Sequence, residues 1–169
     1  LLRVVERALE AGRRKRQATR ALVPPLVAPI GKSRLMHQLR EQVQQVAGRD
    51  AAVLLLGETG TGREAFARYL HAQSPRADKA FVVLVGGSLD ETTAAAKLHG
   101  TEQDGRVEPG LYEQAAGGTL YLNNLEDLSP AVQRIVATDL ESGQYVREGG
   151  RQPQRIDVRF VSAAEPGFE

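Results

Sequence analysis

At 169 residues the chain is long enough for one domain with a sizeable core, and 41% hydrophobic with 25% charged residues is the usage of a soluble globular protein. The absence of cysteine excludes disulfides and thiolate metal sites, and His37, His71 and His99 are too scattered to read as metal ligands. A net charge of +1 gives no whole-protein field for nucleic acid, no apolar run reaches bilayer length, and Arg3, Glu6, Arg7 and Glu10 stand where a signal peptide needs an apolar block; a cytoplasmic protein is expected.

In chain order, Leu1, Leu2, Val5, Ala8 and Leu9 fall at helical spacing and predict an amphipathic helix. The following Arg13-Arg14-Lys15-Arg16, with Arg20, reads as a solvated helix face, with a nucleic-acid contact as the alternative. Pro24, Pro25 and Pro29 favour an extended strap, because proline removes donors and restricts its predecessor. The domain boundary is placed there, dividing a helix-and-linker lead over 1–29 from a folded core over 30–169. Ser33 is positioned to cap a helix with apolar Leu35, Met36, Leu39, Val43 and Val46, ended by Gly48.

The apolar run Ala52 to Leu56 then empties into Gly57-Glu58-Thr59-Gly60-Thr61-Gly62-Arg63, followed by a helical Glu64 to Leu70. This is the pattern of a phosphate loop: glycines let successive N–H groups turn inward around an anion at a helix N-terminus, and a cationic side chain meets the outer phosphates. Further strands are predicted at Ala80 to Val85, Thr119 to Leu122 and Ile156 to Val161, and helices at Glu91 to Leu98, Leu111 to Ala116 and, from the Ser129 cap and Pro130, through Val132, Ile135, Val136 and Leu140 to Gly143. Gly105, Pro109 and Gly110 mark a loop, and Tyr145 to Arg155 a glycine-turned hairpin. Strands alternating with helices predict a mostly parallel α/β sheet with ligands at the carboxyl ends of its strands, where the Gly57 to Arg63 loop, Asn123 and Glu165 fall.

From Ile30 onward these residues resemble the ATPase core of sigma-54-dependent transcriptional activators, the bacterial enhancer-binding branch of the AAA+ superfamily. Gly57 to Glu64 is similar to that family's GESGTGKE loop, Gly117-Gly118-Thr119-Leu120-Tyr121-Leu122 to its GGTLFLDE segment, and Val146 to Gly150 with Ile156 to Arg159 to its RVGG and VDVR pair. Ile30-Gly31, Asp50, His71, Ser74, Arg76 and Phe81 keep the family's spacing, and Leu1 to Arg16 looks like the end of a response-regulator receiver domain. The resemblance implies a three-layer P-loop NTPase fold, with ATP or ADP held by Gly57, Glu58, Thr59, Gly60, Thr61, Gly62, Arg63 and Glu64.

The sequence departs from that family where the chemistry lies. Arg63 replaces the loop lysine; a planar guanidinium differs in reach and geometry from an ammonium, so weakened nucleotide affinity is expected. The Asp-Glu pair that serves the magnesium ion and the attacking water is replaced by Asn123 and Asn124, which implies lost Mg2+ binding and lost hydrolysis, since an amide is no base. Read bare, these are turn amides at a strand end. Ala164 and Glu165 stand in place of a Thr-Asn γ-phosphate sensor, and Thr101 to Pro109 in place of the longer GAFTGA loop that grips sigma-54, so direct sigma-54 remodelling is not expected. Arg147 falls where the family carries arginine fingers, a candidate contact to another protomer. The expectation is a regulatory module acting by protein contacts, including self-association, with a working ATPase using Glu126 or Asp127 as the alternative and the basic arm as a second one. Leu1 in place of Met marks an expected fragment; a fifth strand, a helical lid and a DNA-binding helix-turn-helix are expected beyond Glu169.

Overall fold

A computed structural model of the protein describes residues 28–168. The predicted N-terminal helix, the basic arm, Pro24 and Pro25 lie outside the described residues.

Helix α1 (Arg34–Ala47) begins where Ser33 Oγ accepts from the Met36 amide at 3.3 Å and stops at Gly48. It leads to β1 (Val53–Leu56), the phosphate-loop segment and α2 (Arg63–Ala72). β2 (Phe81–Val85), α3 (Ala94–His99), β3 (Gly100–Gln103), β4 (Arg106–Pro109), α4 (Leu111–Gln114) and β5 (Thr119–Asn123) follow. The remainder is α5 (Pro130–Ser142), β6 (Gln144–Val146), β7 (Pro153–Arg155) and β8 (Arg159–Ala164). In α5, Ser129 Oγ accepts from the Val132 amide, proline takes the first helical position and Gly143 closes the helix with φ 66°.

The main sheet has four parallel strands in the order β1-β8-β5-β2. Tyr121 in β5 stands level with Val161 in β8 and Val83 in β2, and Val161 with Val53 in β1. Side chains alternate across a strand, so this register sorts the apolar residues onto two faces. One face, with Tyr121, Val161, Ala163, Val83 and Leu55, packs against Val43 and Ala47 of α1 and Ala67 and Leu70 of α2. The other, with Leu84, Leu120, Leu122 and Phe160, packs against α3, α4 and α5 through Leu98, Tyr112, Val132 and Val136. Helices thus cover both faces, and the architecture is the expected three-layer α/β one.

Four local expectations are corrected. The last strand begins at Arg159 rather than Ile156, because pairing with β5 starts at Thr119 opposite Arg159. The helix predicted from Glu91 begins at Ala94; Asp90 instead holds a turn by accepting from the Thr92 amide at 2.9 Å. The stretch 100–109, expected as a loop, is a hairpin of β3 and β4 turning on Asp104 (φ 52°) and Gly105 (φ 77°). Two backbone positions with positive φ match the right-handed strand twist of a two-residue hairpin, and Asp-Gly supplies them. Finally, Leu35 and Leu140, assigned to apolar helix faces, are exposed, at 64% and 44%. Met36 is half-buried and lies against Gly31, where a Cβ would come within 2.6 Å of its Cγ.

The opposite end of the sheet from the strand tips is fastened by arginines. Arg76 donates to Asp50 Oδ2 at 2.8 Å and to Asp157 Oδ1 at 2.9 Å. Arg159, almost fully buried, donates to the carbonyls of Ala47 and Val46 at 2.8 and 2.9 Å and so caps the C-terminal end of α1. Burial lowers the Arg159 pKa from its ordinary value, and the three carbonyls it reaches, that of Ala51 included, compensate the desolvated guanidinium.

Candidate functional site

The carboxyl ends of β1, β5 and β8 converge on the segment Gly57 to Gly62. The Gly57 amide donates to Ala164 O at 3.1 Å, tying the start of the loop to the end of β8. A tight turn follows, with the Thr61 amide and hydroxyl both donating to Glu58 O, at 3.2 and 2.7 Å. Gly60 and Gly62 have φ of 86° and 88°, values that favour glycine, and among the described residues their amides donate to no other group. Free N–H groups at the head of a ten-residue helix, α2, give the loop the partial positive charge that suits an anion.

Arg63 opens α2, and its side chain passes Gly57, whose Cβ position lies 3.7 Å from Arg63 Cγ, before crossing to the end of β5. There its Nη2 donates to Asn124 Oδ1 at 2.8 Å. Its Nη1 stands 3.7 Å from Glu126 Oε1, beyond hydrogen-bond length. The side chain is 8% exposed, and Nη1 is the one buried side-chain nitrogen or oxygen among the described residues that lacks a hydrogen-bond partner. A buried cationic donor without a hydrogen bond is costly, and the Glu126 carboxylate at 3.7 Å offsets its charge without bonding it.

Asn124 has φ 57° and ψ 68°, a left-handed conformation that asparagine adopts more readily than most residues, and it opens the turn Leu125–Asp127. Its Nδ2 donates to Asp127 Oδ2 at 3.2 Å. Asn123 ends β5 and accepts at Oδ1 from the Tyr121 hydroxyl at 3.1 Å. Burial pushes Tyr121 up to about 12, so that hydroxyl stays protonated at neutral pH and serves to hold the Asn123 amide. Both amide oxygens at the strand end therefore already accept a hydrogen bond from the protein.

Glu165 follows β8 directly, and its Oε1 accepts from the Thr59 hydroxyl at 2.8 Å, placing an exposed carboxylate on the lip of the loop. Glu64 pairs with Arg68 one helical turn on, at 2.7 Å, and the Arg68 guanidinium lies over the Phe81 ring, 4.6 Å from its centre. Gly57, Glu58, Thr59, Gly60, Thr61, Gly62, Arg63, Asn124 and Glu165 thus share one end of the sheet.

Arg147 is not part of that cluster. It donates to both oxygens of Glu113, at 2.8 and 3.0 Å, and to Glu102 Oε2 at 3.2 Å, which joins α4, β3 and the end of β6. The backbone reinforces the joint: Glu102 N donates to Glu148 O at 2.8 Å and Glu148 N to Gly100 O at 2.9 Å. His71 and Ser74 are structural as well. His71 Nδ1 shares a buried hydrogen bond with Thr119 Oγ1 at 2.8 Å, and burial lowers its pKa.

Two buried polar groups escape sequence reasoning. Asp139, on α5, accepts from the Tyr112 hydroxyl at 2.8 Å and pairs with His99 Nε2 at 2.7 Å, inside a cluster completed by Tyr145. The contact of Arg63 with Asn124 spans 61 positions, and no spacing announces it.

Residues 29–169 match the family model of the sigma-54 interaction domain. The Nif-specific regulatory protein of Rhodobacter capsulatus is 37% identical over 175 residues, covering 97% of this chain and 30% of that protein. Its counterpart in Azotobacter vinelandii is 37% identical over 145 residues, covering 83% and 28%. Among solved structures, NtrX from Brucella abortus in complex with ADP is similar with a TM-score of 0.79 at 32% identity, covering 97% of this chain and 38% of that one. The P-loop NTPase domain of the sigma-54 transport activator from E. coli has a TM-score of 0.51 at 30% identity, covering 80% and 78%. The chain spans less than a third of the length of these two regulatory proteins.

Proposed function

The chain belongs to the sigma-54 interaction domain family, and on that premise we propose that it is the α/β core of a transcriptional regulator that holds a nucleotide without hydrolysing it and works through contacts with other protein chains. The observation that carries this reading is the strand end itself: Arg63 is bonded to a neutral amide, Asn124, and the adjoining Asn123 is engaged by Tyr121. Hydrolysis needs a carboxylate to polarise water and an acidic partner for the metal; losing a general base alone typically costs about two to four orders of magnitude in rate.

The loop fits phosphate. It offers glycine amides that donate to no other group and a buried guanidinium nitrogen without a hydrogen bond, and two similar NtrX structures are in complex with ADP and with ATP. When bound, a nucleotide supplies the anion that these donors lack. The strand end is a poor fit for magnesium, a hard cation that takes carboxylate oxygens, because its two side chains are the neutral amides Asn123 and Asn124.

Further parts of the reading rest on family membership. Residues 1–29 are taken as a lead into a core over 30–169, with assembly through copies of the same fold. The hairpin over 100–109 lacks the GAFTGA residues, so sigma-54 contact through that loop is not proposed. Arg147 reaches another protomer only after release from Glu113 and Glu102. Any DNA contact is assigned outside these residues.

A second reading, a working ATPase, is favoured by one observation: Glu126 lies 3.7 Å from Arg63 Nη1 and Asp127 bonds Asn124, so two carboxylates border the strand end. Magnesium-dependent phosphate release, measured beside nucleotide binding by calorimetry, separates the two. Binding with no release above background is expected. Turnover at ordinary ATPase rates, abolished by Glu126→Gln or Asp127→Asn, would establish the second reading instead.

A further inference from the structure

Resting on the nucleotide reading above, we infer that this site selects a nucleoside diphosphate over a triphosphate and takes it without a divalent cation, with Glu165 as the selecting residue.

The donors are few and deep. Besides the free amides of Gly60 and Gly62 at the head of α2, the loop offers one side-chain cation, Arg63, more than nine-tenths buried, with Nη1 unpartnered and Nη2 already spent on Asn124. Nη1 is thus without a hydrogen bond, and only Glu126, at 3.7 Å, faces its charge. The mouth, in contrast, is acidic: Glu165 sits on the lip through its bond to Thr59, Glu126 approaches Arg63 from the β5 side, Asp127 is held beside it by Asn124, and Glu58 lies exposed in the loop turn. Four carboxylates therefore belong to the loop and strand ends that offer this one buried cation.

Each added phosphate brings negative charge toward this rim. In other phosphate loops a divalent cation bridges the outer phosphates and offsets their repulsion. Here the strand-end groups that would hold it are amides whose oxygens accept from Arg63 and Tyr121, at 2.8 and 3.1 Å. A third phosphate adds negative charge to a mouth whose loop already carries the Glu165 carboxylate. The Thr59 hydroxyl bonds that carboxylate to the loop. A diphosphate brings less negative charge to this rim than a triphosphate does.

The test is calorimetric titration of the full-length protein with ADP and with ATP, each with magnesium and with a chelator. ADP is expected to bind equally in both media and about tenfold more tightly than ATP, the size of one carboxylate acting across a few ångströms of partly solvated space. Glu165→Gln and Glu165→Ala should each bring ATP to within about threefold of ADP, and in the unmodified protein the ratio should shrink at high salt. ATP binding as tightly as ADP, a ratio untouched by both substitutions and by salt, or binding of ADP only with magnesium, overturns the inference while leaving the nucleotide reading intact. Absence of binding by either nucleotide overturns both.

Discussion

Replacing Asn124 tests the central pairing of the site, because two different substitutions separate its hydrogen bond from its backbone. Asn124→Gly removes the amide that accepts from Arg63 at 2.8 Å and leaves the left-handed backbone, φ 57°, without penalty. The guanidinium, whose Nη1 already lacks a partner, then has neither terminal nitrogen bonded. Losing a hydrogen bond to a charged buried group costs about 1.5–3 kcal/mol, which for a chain of this length lowers Tm by roughly 3–12 °C. Asn124→Ala loses the same bond and adds about 1–2 kcal/mol for forcing a Cβ into the left-handed region. Alanine should therefore melt below glycine by roughly 2–8 °C. Freed from Asn124, Arg63 gains a second nitrogen for phosphate, so saturating ADP should raise the Tm of the glycine variant by more than it raises that of the parent. The assay is thermal melting by circular dichroism with and without ADP. A glycine variant that melts with the parent, or one whose shift with ADP is unchanged, refutes the role given to this pair.

Restoring the family's residues, with Arg63→Lys, Asn123→Asp and Asn124→Glu together, is expected to bring magnesium-dependent phosphate release above the parent's background, read by a coupled phosphate assay. Asp139→Ala strands the buried Tyr112 hydroxyl and His99 and should cost about 2–5 kcal/mol in urea unfolding; adding Tyr112→Phe should cost little more, because the unmatched hydroxyl is gone. Gly118→Ala puts a Cβ 2.1 Å from Ala80 O and should exceed about 2 kcal/mol, whereas Gly117→Ala, with no atom nearer than 4.0 Å but φ 73°, should cost about 1–2 kcal/mol. The Arg147 hydrogen bonds hold the Glu113 carboxyl below its ordinary value of about 4.5. A depressed folded-state value means that this stabilisation is whole above about 4.5 and is lost as pH falls through the folded value. Urea midpoints between neutral pH and pH 3 should fall less in Arg147→Met than in the parent.

Most of the fold is legible in the sequence because local chemistry and tertiary demand agree. Ser33, Ser129 with Pro130, and Gly143 name their own helix ends, and the apolar runs at Val53, Phe81 and Thr119 become the strands they resemble. Where the two diverge, reading fails for identifiable reasons. The hairpin over 100–109 has no apolar alternation, and its signal is confined to Asp104-Gly105. The last strand is misplaced because Ile156 to Arg159 alternates like a strand, whereas pairing with β5 starts only where Arg159 meets Thr119. A charged residue on a helix reads as surface, so Asp139 stays invisible until Tyr112 and His99 are seen around it. The loop residues are legible as a group, but whether Arg63 faces solvent or the strand end depends on Asn124, far away in the chain.

The buried guanidinium of Arg159 links the beginning and end of the described fold, with hydrogen bonds that span 112 and 113 positions to the tail of α1. On the ribosome, α1 emerges long before the strand that secures it. At about 5–20 residues per second, the interval is on the order of ten seconds. Until then the apolar side of α1 has α2 but neither β8 nor its arginine to dock on. Folding of this core is thus a late event in its synthesis, and a translational pause before Arg159 is synthesised lengthens the exposed phase, whereas one after it emerges does not.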